Sequence, residues 1–281
     1  MNSTKLSELF TISTNAEGQN WNNIVTNQQC AFLNRKCIKS RKSQPEISIG
    51  TCTVKYGKND VIICPHRLLE NRKIFIDCIH LLTLHEPGND LHVISEVSIP
   101  GGSIDYILVS AKDNKVKDFV GIELQTLDTT GTVWPERQRF LKSLNIPVAD
   151  SDSDSGKPYG MNWKMTAKTI LVQLHHKIET FEHLSKHLVL VVQDCLLDYM
   201  QKEFSFSHIS KTAKIGDSMH FHSYQLKGKD NGYHLSLYER MSTDSAGISK
   251  CMGLQAEANI ELDIILKTLE SKISVNTLLK I

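Results

Sequence analysis

The chain has 281 residues, with 32 Lys and Arg against 31 Asp and Glu, 12 His and a formal net charge of +1. That length holds one large core or two modest ones, and the balanced charge argues against a histone-like binder held by charge alone while allowing an enzyme with a local basic face. No run approaches the roughly 20 apolar residues of a membrane span, the first residues lack the basic start and apolar centre of a secretory signal, and a cytoplasmic protein is expected.

Residues 1–27 are polar and Asn-rich and read as a partly ordered lead-in. Residues 28–66 form a second segment with little apolar periodicity and four of the seven cysteines, Cys30, Cys37, Cys52 and Cys64. In a reducing compartment such clustering points to a metal-stapled module more than to disulfides. Four thiolates suit tetrahedral Zn or Fe, although the usual Cys-x-x-Cys knuckle is absent here. Four reduced, unpaired thiols are the plain alternative, but they would not hold together a segment lacking its own core. Arg35, Lys36, Lys39, Arg41 and Lys42 lie between the first and third cysteines. A metal-fixed basic loop there suits backbone phosphates; a solvated loop is the alternative.

Residues 67–281 read as one core. Arg67 to His85 is helical in pattern, with Leu68, Leu69, Ile74, Phe75, Cys78, Ile79, Leu81 and Leu82 in places three and four apart. Three strands follow at 91–99, 103–110 and 117–127, broken by "PGG" at 100–102 and "KDN" at 112–114. The second and third should pair as an antiparallel hairpin. "DTTGTVWPERQRF" (128–140) reads as a loop and a helix start with Pro135 in its first turn, and 150–160 reads as a polar loop. Ala167, Ile170, Leu171, Leu174, Ile178 and Phe181 mark a helix face, and "HLVLVVQ" (187–193) a buried strand. "FHSYQL" and "GYHLSLYER" suit further strands, and "AEANIELDIILKTLES" a closing helix. A helix crossing over to a buried strand fits a mixed α/β sheet covered by helices on both faces.

The chemistry concentrates in two strands. Asp105 shares a strand face with Ile107 and Val109; Glu123 and Gln125 share a face of the next strand. The hairpin brings Asp105 beside Glu123. Two close anions need a cation or a shared proton, and a magnesium-like ion on hard oxygens is the economical answer. Such an ion polarises phosphoryl oxygens, which suggests a phosphodiester substrate. The plain alternative has Asp105 near solvent and Glu123 in a salt bridge.

"EVSIPGGSIDYILVS" followed by "DFVGIELQTLDTTGTVWPERQ" resembles the active-site region of the NotI-type restriction endonucleases, within the PD-(D/E)XK nuclease superfamily. "CAFLNRKC", "IGTC", "IICPHRLLE" and "GMNWKMTAKTILVQLHHK" are also similar to that family, so the likeness runs from about 28 to 195. It implies a PD-(D/E)XK core with an N-terminal four-cysteine metal module, with Asp105 and Glu123 as the metal-holding acids and Gln125 where most members carry Lys. Lys brings positive charge to the attacked phosphate; Gln only orients by hydrogen bonds, so the metal or another cation must carry more of the transition-state charge. Lys164 and Lys168, four apart on one helix face, are candidates for that cation or for phosphate contacts, with a solvated face as the alternative. Glu96 is a third acid, with an alternative role facing solvent. For the four cysteines the likeness implies iron, with zinc second and an iron–sulfur cluster as a further option.

Among the remaining residues, Arg137 and Arg139 are DNA-contact candidates, since Arg is the commonest reader of guanine edges; loop and helix packing is the alternative. Adjacent His175 and His176 cannot easily share a metal. His183 and His187 lack the Glu of the zinc-protease pattern. Cys78, Cys195 and Cys251 sit in apolar runs as core thiols. The expectation is a Mg²⁺-dependent, type II, sequence-specific deoxyribonuclease acting on double-stranded DNA as a homodimer, beside a companion DNA methyltransferase. The alternatives are an inactive DNA-binding protein on the same fold and a repair or nicking nuclease.

Overall fold

The computed structural model describes residues 4–154, 156, 158–229, 232–253, 266, 267, 270 and 271. At its centre is a six-stranded mixed sheet built by β5 (Asp90–Ile99), β6 (Gly102–Lys112), β7 (Lys115–Leu124), β8 (His187–Gln193), β9 (Met219–Lys229) and β10 (Gly232–Thr243), in the order β10-β9-β8-β7-β6-β5. β7, β8 and β9 run parallel, and the outer pairs are antiparallel. β8, "HLVLVVQ", is buried at every position, as a strand covered on both faces must be. The turn from β6 to β7 places Asp113 and Asn114 at φ 52° and 58°. Two successive left-handed residues match the twist of a hairpin, and Asp and Asn tolerate them best.

The helix α2 (Trp163–His183) makes the crossover from β7 to β8, burying Ala167, Ile170, Leu171, Leu174, Ile178 and Phe181. It approaches the sheet closely at Gly121, where an added Cβ would lie 2.4 Å from Phe181. α1 (Trp134–Ser143), α3 (Asp194–Glu203) and α4 (Ser245–Cys251) contribute to the same core. The opposite face differs from the expectation of helices on both sides. Residues 65–82 cover it with 3-10 turns and one short helix, Lys73–Ile76, because Asn71 and Arg72 adopt positive φ and break the helical run. The closing helix expected at 256–271 lies outside the described residues apart from 266, 267, 270 and 271.

The N-terminal residues form a second, four-stranded sheet of β1 (Leu6–Leu9), β2 (Ile12–Ser13), β3 (Thr51–Tyr56) and β4 (Asn59–Ile62), in the order β2-β1-β3-β4. The lead-in is thus a strand partner of the cysteine segment: Leu6 pairs with Val54 and Leu9 with Thr51. Leu6, Leu9, Phe10, Val54, Val61 and Ile63 also join the core under α2. Gln193, at the end of β8, ties the two sheets through Ile62 N–H and Asp60 C=O. Among the described residues no helix is long and apolar enough to cross a membrane.

Candidate active site

Backbone register brings three acids into one row. Tyr106 pairs with Ile122, so Asp105 stands opposite Glu123 across β6 and β7. On the other side Ile104 pairs with Val97 and Tyr106 with Ser95, which sets Glu96 opposite Asp105. The row Glu96–Asp105–Glu123 therefore crosses three neighbouring strands near the end of the hairpin.

Each acid is held differently. The β6–β7 ladder ends at Tyr106, and the Asp105 carboxylate then accepts the Leu124 N–H at 2.8 Å in place of a backbone carbonyl. Glu123 in turn accepts a hydrogen bond from the Asp105 backbone. Glu123 is 3% exposed, and burial pushes its carboxyl up to about 7, with the nearby Asp105 charge adding to the rise. Lys177 opposes that rise: its Nζ donates to Glu123 Oε1 at 2.8 Å. Glu96 is exposed and carries φ 56°, a left-handed residue inside a strand. Gln125 is half-buried, and its backbone N–H continues the pairing of β7 to Val191 C=O on β8.

The cysteine segment supplies the facing wall. A cleft of about 180 Å³ is lined by Ser95, Glu96, Asp105, Tyr106 and Leu124 from the sheet. From the cysteine segment it takes Leu33, Arg35, Ile38, Pro65 and His66. Arg35 is the exposed cation of this wall. Burial lowers the His66 imidazole below its ordinary value, helped by Arg35 and Lys39 and opposed by Asp105.

Behind this wall, Cys30, Cys37, Cys52 and Cys64 line a single cavity of about 10 Å³, together with His66, whose Nδ1 lies 3.8 Å from Cys64 Sγ. All four are free thiols, and burial pushes those of Cys30, Cys52 and Cys64 up. The volume is that of one small sphere. Among the described residues, however, no set of three or more His, Cys, Asp or Glu side chains is arranged to hold a metal ion. The four thiols are gathered without being closed round a point.

The other sequence candidates lie elsewhere. Lys164 pairs with Glu203 at 2.6 Å, and Lys168 is exposed on the same helix. The cation that meets Glu123 comes from α2, but from Lys177 further along. The sequence shows that Lys177 interrupts the apolar stripe, three residues after Leu174 and four before Phe181, but not which acid it meets. Arg137 is 2% exposed, with its guanidinium over the rings of Trp134 and Phe10, so it presents nothing to a DNA groove; it is a packing residue. Arg139 binds Glu136 and the Ser153 carbonyl, and Arg41 forms a two-pronged pair with Asp152. Lys42 is exposed. Cys78 and Cys251 are core thiols, and Cys195 is half-buried against the core.

A family model of restriction endonucleases matches residues 26–234, a span that includes the cysteine segment and all three acids. Its description is restriction endonuclease NotI, and the chain belongs to that family. It is thus a nuclease whose substrate is DNA. A search of curated proteins matched none.

Proposed function

We propose that the protein is a sequence-specific, Mg²⁺-dependent endonuclease of type II that hydrolyses phosphodiester bonds of double-stranded DNA on a PD-(D/E)XK core. The observation that carries this reading is the Glu96–Asp105–Glu123 row on rigid, paired strands. Its donor set fits the ion, because Mg²⁺ takes one or two protein carboxylates and keeps several waters. Asp105 and Glu123 would hold it, and it would supply Lewis acidity at the attacked phosphoryl oxygen. Gln125, two residues beyond Glu123 on the same side of the chain, orients the attacking water by hydrogen bonding. Glu96 borders the cleft and adds a third acceptor. Arg35, Lys42, Lys164 and Lys168, all exposed, are the proposed backbone-phosphate contacts.

The four thiols would hold iron, with zinc as second choice. Their donor chemistry and the single small cavity they share support this. Metal binding then requires thiols that burial keeps protonated to release their protons. A visible absorption band in the purified protein marks iron, and a colourless protein with bound zinc points to the second choice. The working form would be a homodimer, since cutting both strands of a palindrome needs two sites. A DNA methyltransferase would protect the host's own sites.

The deciding experiment is incubation of purified protein with plasmid and phage DNA in Mg²⁺. Discrete fragments are expected, abolished by Asp105→Ala. Binding without cleavage in any divalent metal would leave a DNA-binding protein on a nuclease fold, the reading that Gln125 in place of Lys favours. Nicked or mismatch-dependent products would indicate a repair nuclease.

A further inference from the structure

We infer that Lys177 is the cation of the acid site, a positioning residue on α2 that stands in for the positive charge absent at Gln125. The inference rests on Asp105 and Glu123 being the catalytic acids. Lys177 is 7% exposed, and its Nζ lies 2.8 Å from Glu123 Oε1. A buried ammonium needs an anion, and a buried carboxylate needs a cation. Each meets that need in the other, so the site has a fixed positive charge within hydrogen-bond reach of the second acid. In a chain with Lys at the position of Gln125 that charge would arrive along β7. Here it arrives from the helix packed on the sheet.

The geometry around the lysine is built to keep it there. Pro100, Gly101 and Gly102, the turn joining β5 to β6, press on α2 at the lysine. A Cβ on Gly101 would lie 2.1 Å from the His176 carbonyl oxygen, and a Cβ on Gly102 would lie 3.3 Å from Lys177 Cε. Thr180 Oγ1, one turn further on, donates to the Pro100 carbonyl at 3.1 Å. The turn that starts the Asp105 strand thus fixes the register of the helix that delivers Lys177. Gly101 lets the turn approach the α2 backbone, and Gly102 leaves room for the aliphatic stem of the lysine. One oxygen of Glu123 is engaged by Lys177, and Asp105 is fixed by the Leu124 N–H. The two acids are therefore oriented by protein groups alone.

Its consequences separate it from a merely structural ion pair. Lys177 lowers the net negative charge of the acid row, so its removal should strengthen the hold on a divalent cation while weakening catalysis. A residue needed only for packing would weaken both. The test uses the full chain with Lys177→Gln, which keeps a hydrogen-bond donor and removes the charge, and Lys177→Arg, which keeps the charge. For Lys177→Gln, kcat for plasmid cleavage should fall about 100-fold or more, with KM within about threefold of the parent protein. Mn²⁺ affinity, read by electron paramagnetic resonance without DNA, should rise about threefold or more. Lys177→Arg should retain cleavage within about tenfold. Unchanged kcat in the Gln variant, or Mn²⁺ binding equal to or weaker than the parent's, overturns the inference. Should the Gln variant melt below the assay temperature, the Arg variant decides: cleavage within about tenfold supports the charge, and a loss beyond about 100-fold overturns it. If the parent protein cuts no DNA, the endonuclease reading fails. The Mn²⁺ comparison still decides whether Lys177 is coupled to the acids.

Discussion

Glu96 adopts φ 56° in the middle of β5, directly opposite Asp105. A left-handed conformation costs a side-chain-bearing residue about 1 kcal/mol or more, and such strain collects at functional sites. Glu96→Gly should therefore raise unfolding stability by about 1 kcal/mol while lowering cleavage, and Glu96→Gln should lower cleavage with stability unchanged. A Gly variant that is less stable in urea melts would remove the strain argument. At the other end of the sheet, His187, His220 and His222 pack with His80 in one ring cluster. His220 donates from Nε2 to the Asp217 carbonyl, and its buried Nδ1 has no hydrogen-bond partner among the described residues. Burial, with His187 beside it, pushes this imidazole down to about 4. The unfolded chain takes up a proton near the ordinary value of about 6.5 that the native state refuses. Stability is then complete above that value and is lost as pH falls from 6.5 towards 4, on the order of 3 kcal/mol for this one group. His220→Gln should flatten that acid limb in denaturant melts compared at pH 7 and pH 4.5; an unaltered limb would assign the acid loss elsewhere.

Among the elements, the Pro100–Gly102 turn has little tolerance for substitution. Gly101 carries φ 93° and sits against the α2 backbone. Gly101→Ala should cost about 2 kcal/mol or more, since both strain and a backbone clash oppose it, and it should lower cleavage beyond what the melt explains by shifting α2 at Lys177. A stable, fully active Ala variant would show that the turn does not set the helix. The central elements were legible in the sequence because their signals are local. The Asp113–Asn114 turn, the β-branched and aromatic runs on either side of it, the stripe on α2 and the apolar run of β8 are each visible within short stretches of the sequence. The pairing of Asp105 with Glu123 followed from the hairpin register. The partner of Glu123 did not, because it lies 54 residues further along the chain and only the crossover brings it back. β1 and β2 were illegible for the same reason. They are short and polar in part; β1 becomes a strand through pairing with β3 more than 40 residues later, and β2 then pairs with β1. The 65–82 segment has the right apolar spacing but breaks at Asn71 and Arg72, where no glycine gives warning.

At the scale of the molecule, Arg67 joins the two sheets. It is fully buried, pairs with Glu8 of β1 at 2.9 Å and with Glu70, donates to the Tyr233 carbonyl of β10 and lies over the Phe32 ring. Thr53 completes the Glu8 carboxylate. Removing one partner strands a buried charge, so Arg67→Ala should cost about 3–5 kcal/mol. The N-terminal sheet shares its core with α2, so the parent protein and the variant should each unfold in one transition by calorimetry; an early separate transition for the cysteine segment would show that the sheets are independent. The thiol cavity and the acid cleft have Leu33 and His66 in common. A cysteine segment exchanged for another would bring with it the wall that faces the acids, and the six-stranded sheet grafted alone onto another protein would carry its acids without that wall. The thiol cluster and the wall that faces the acids are one structural unit.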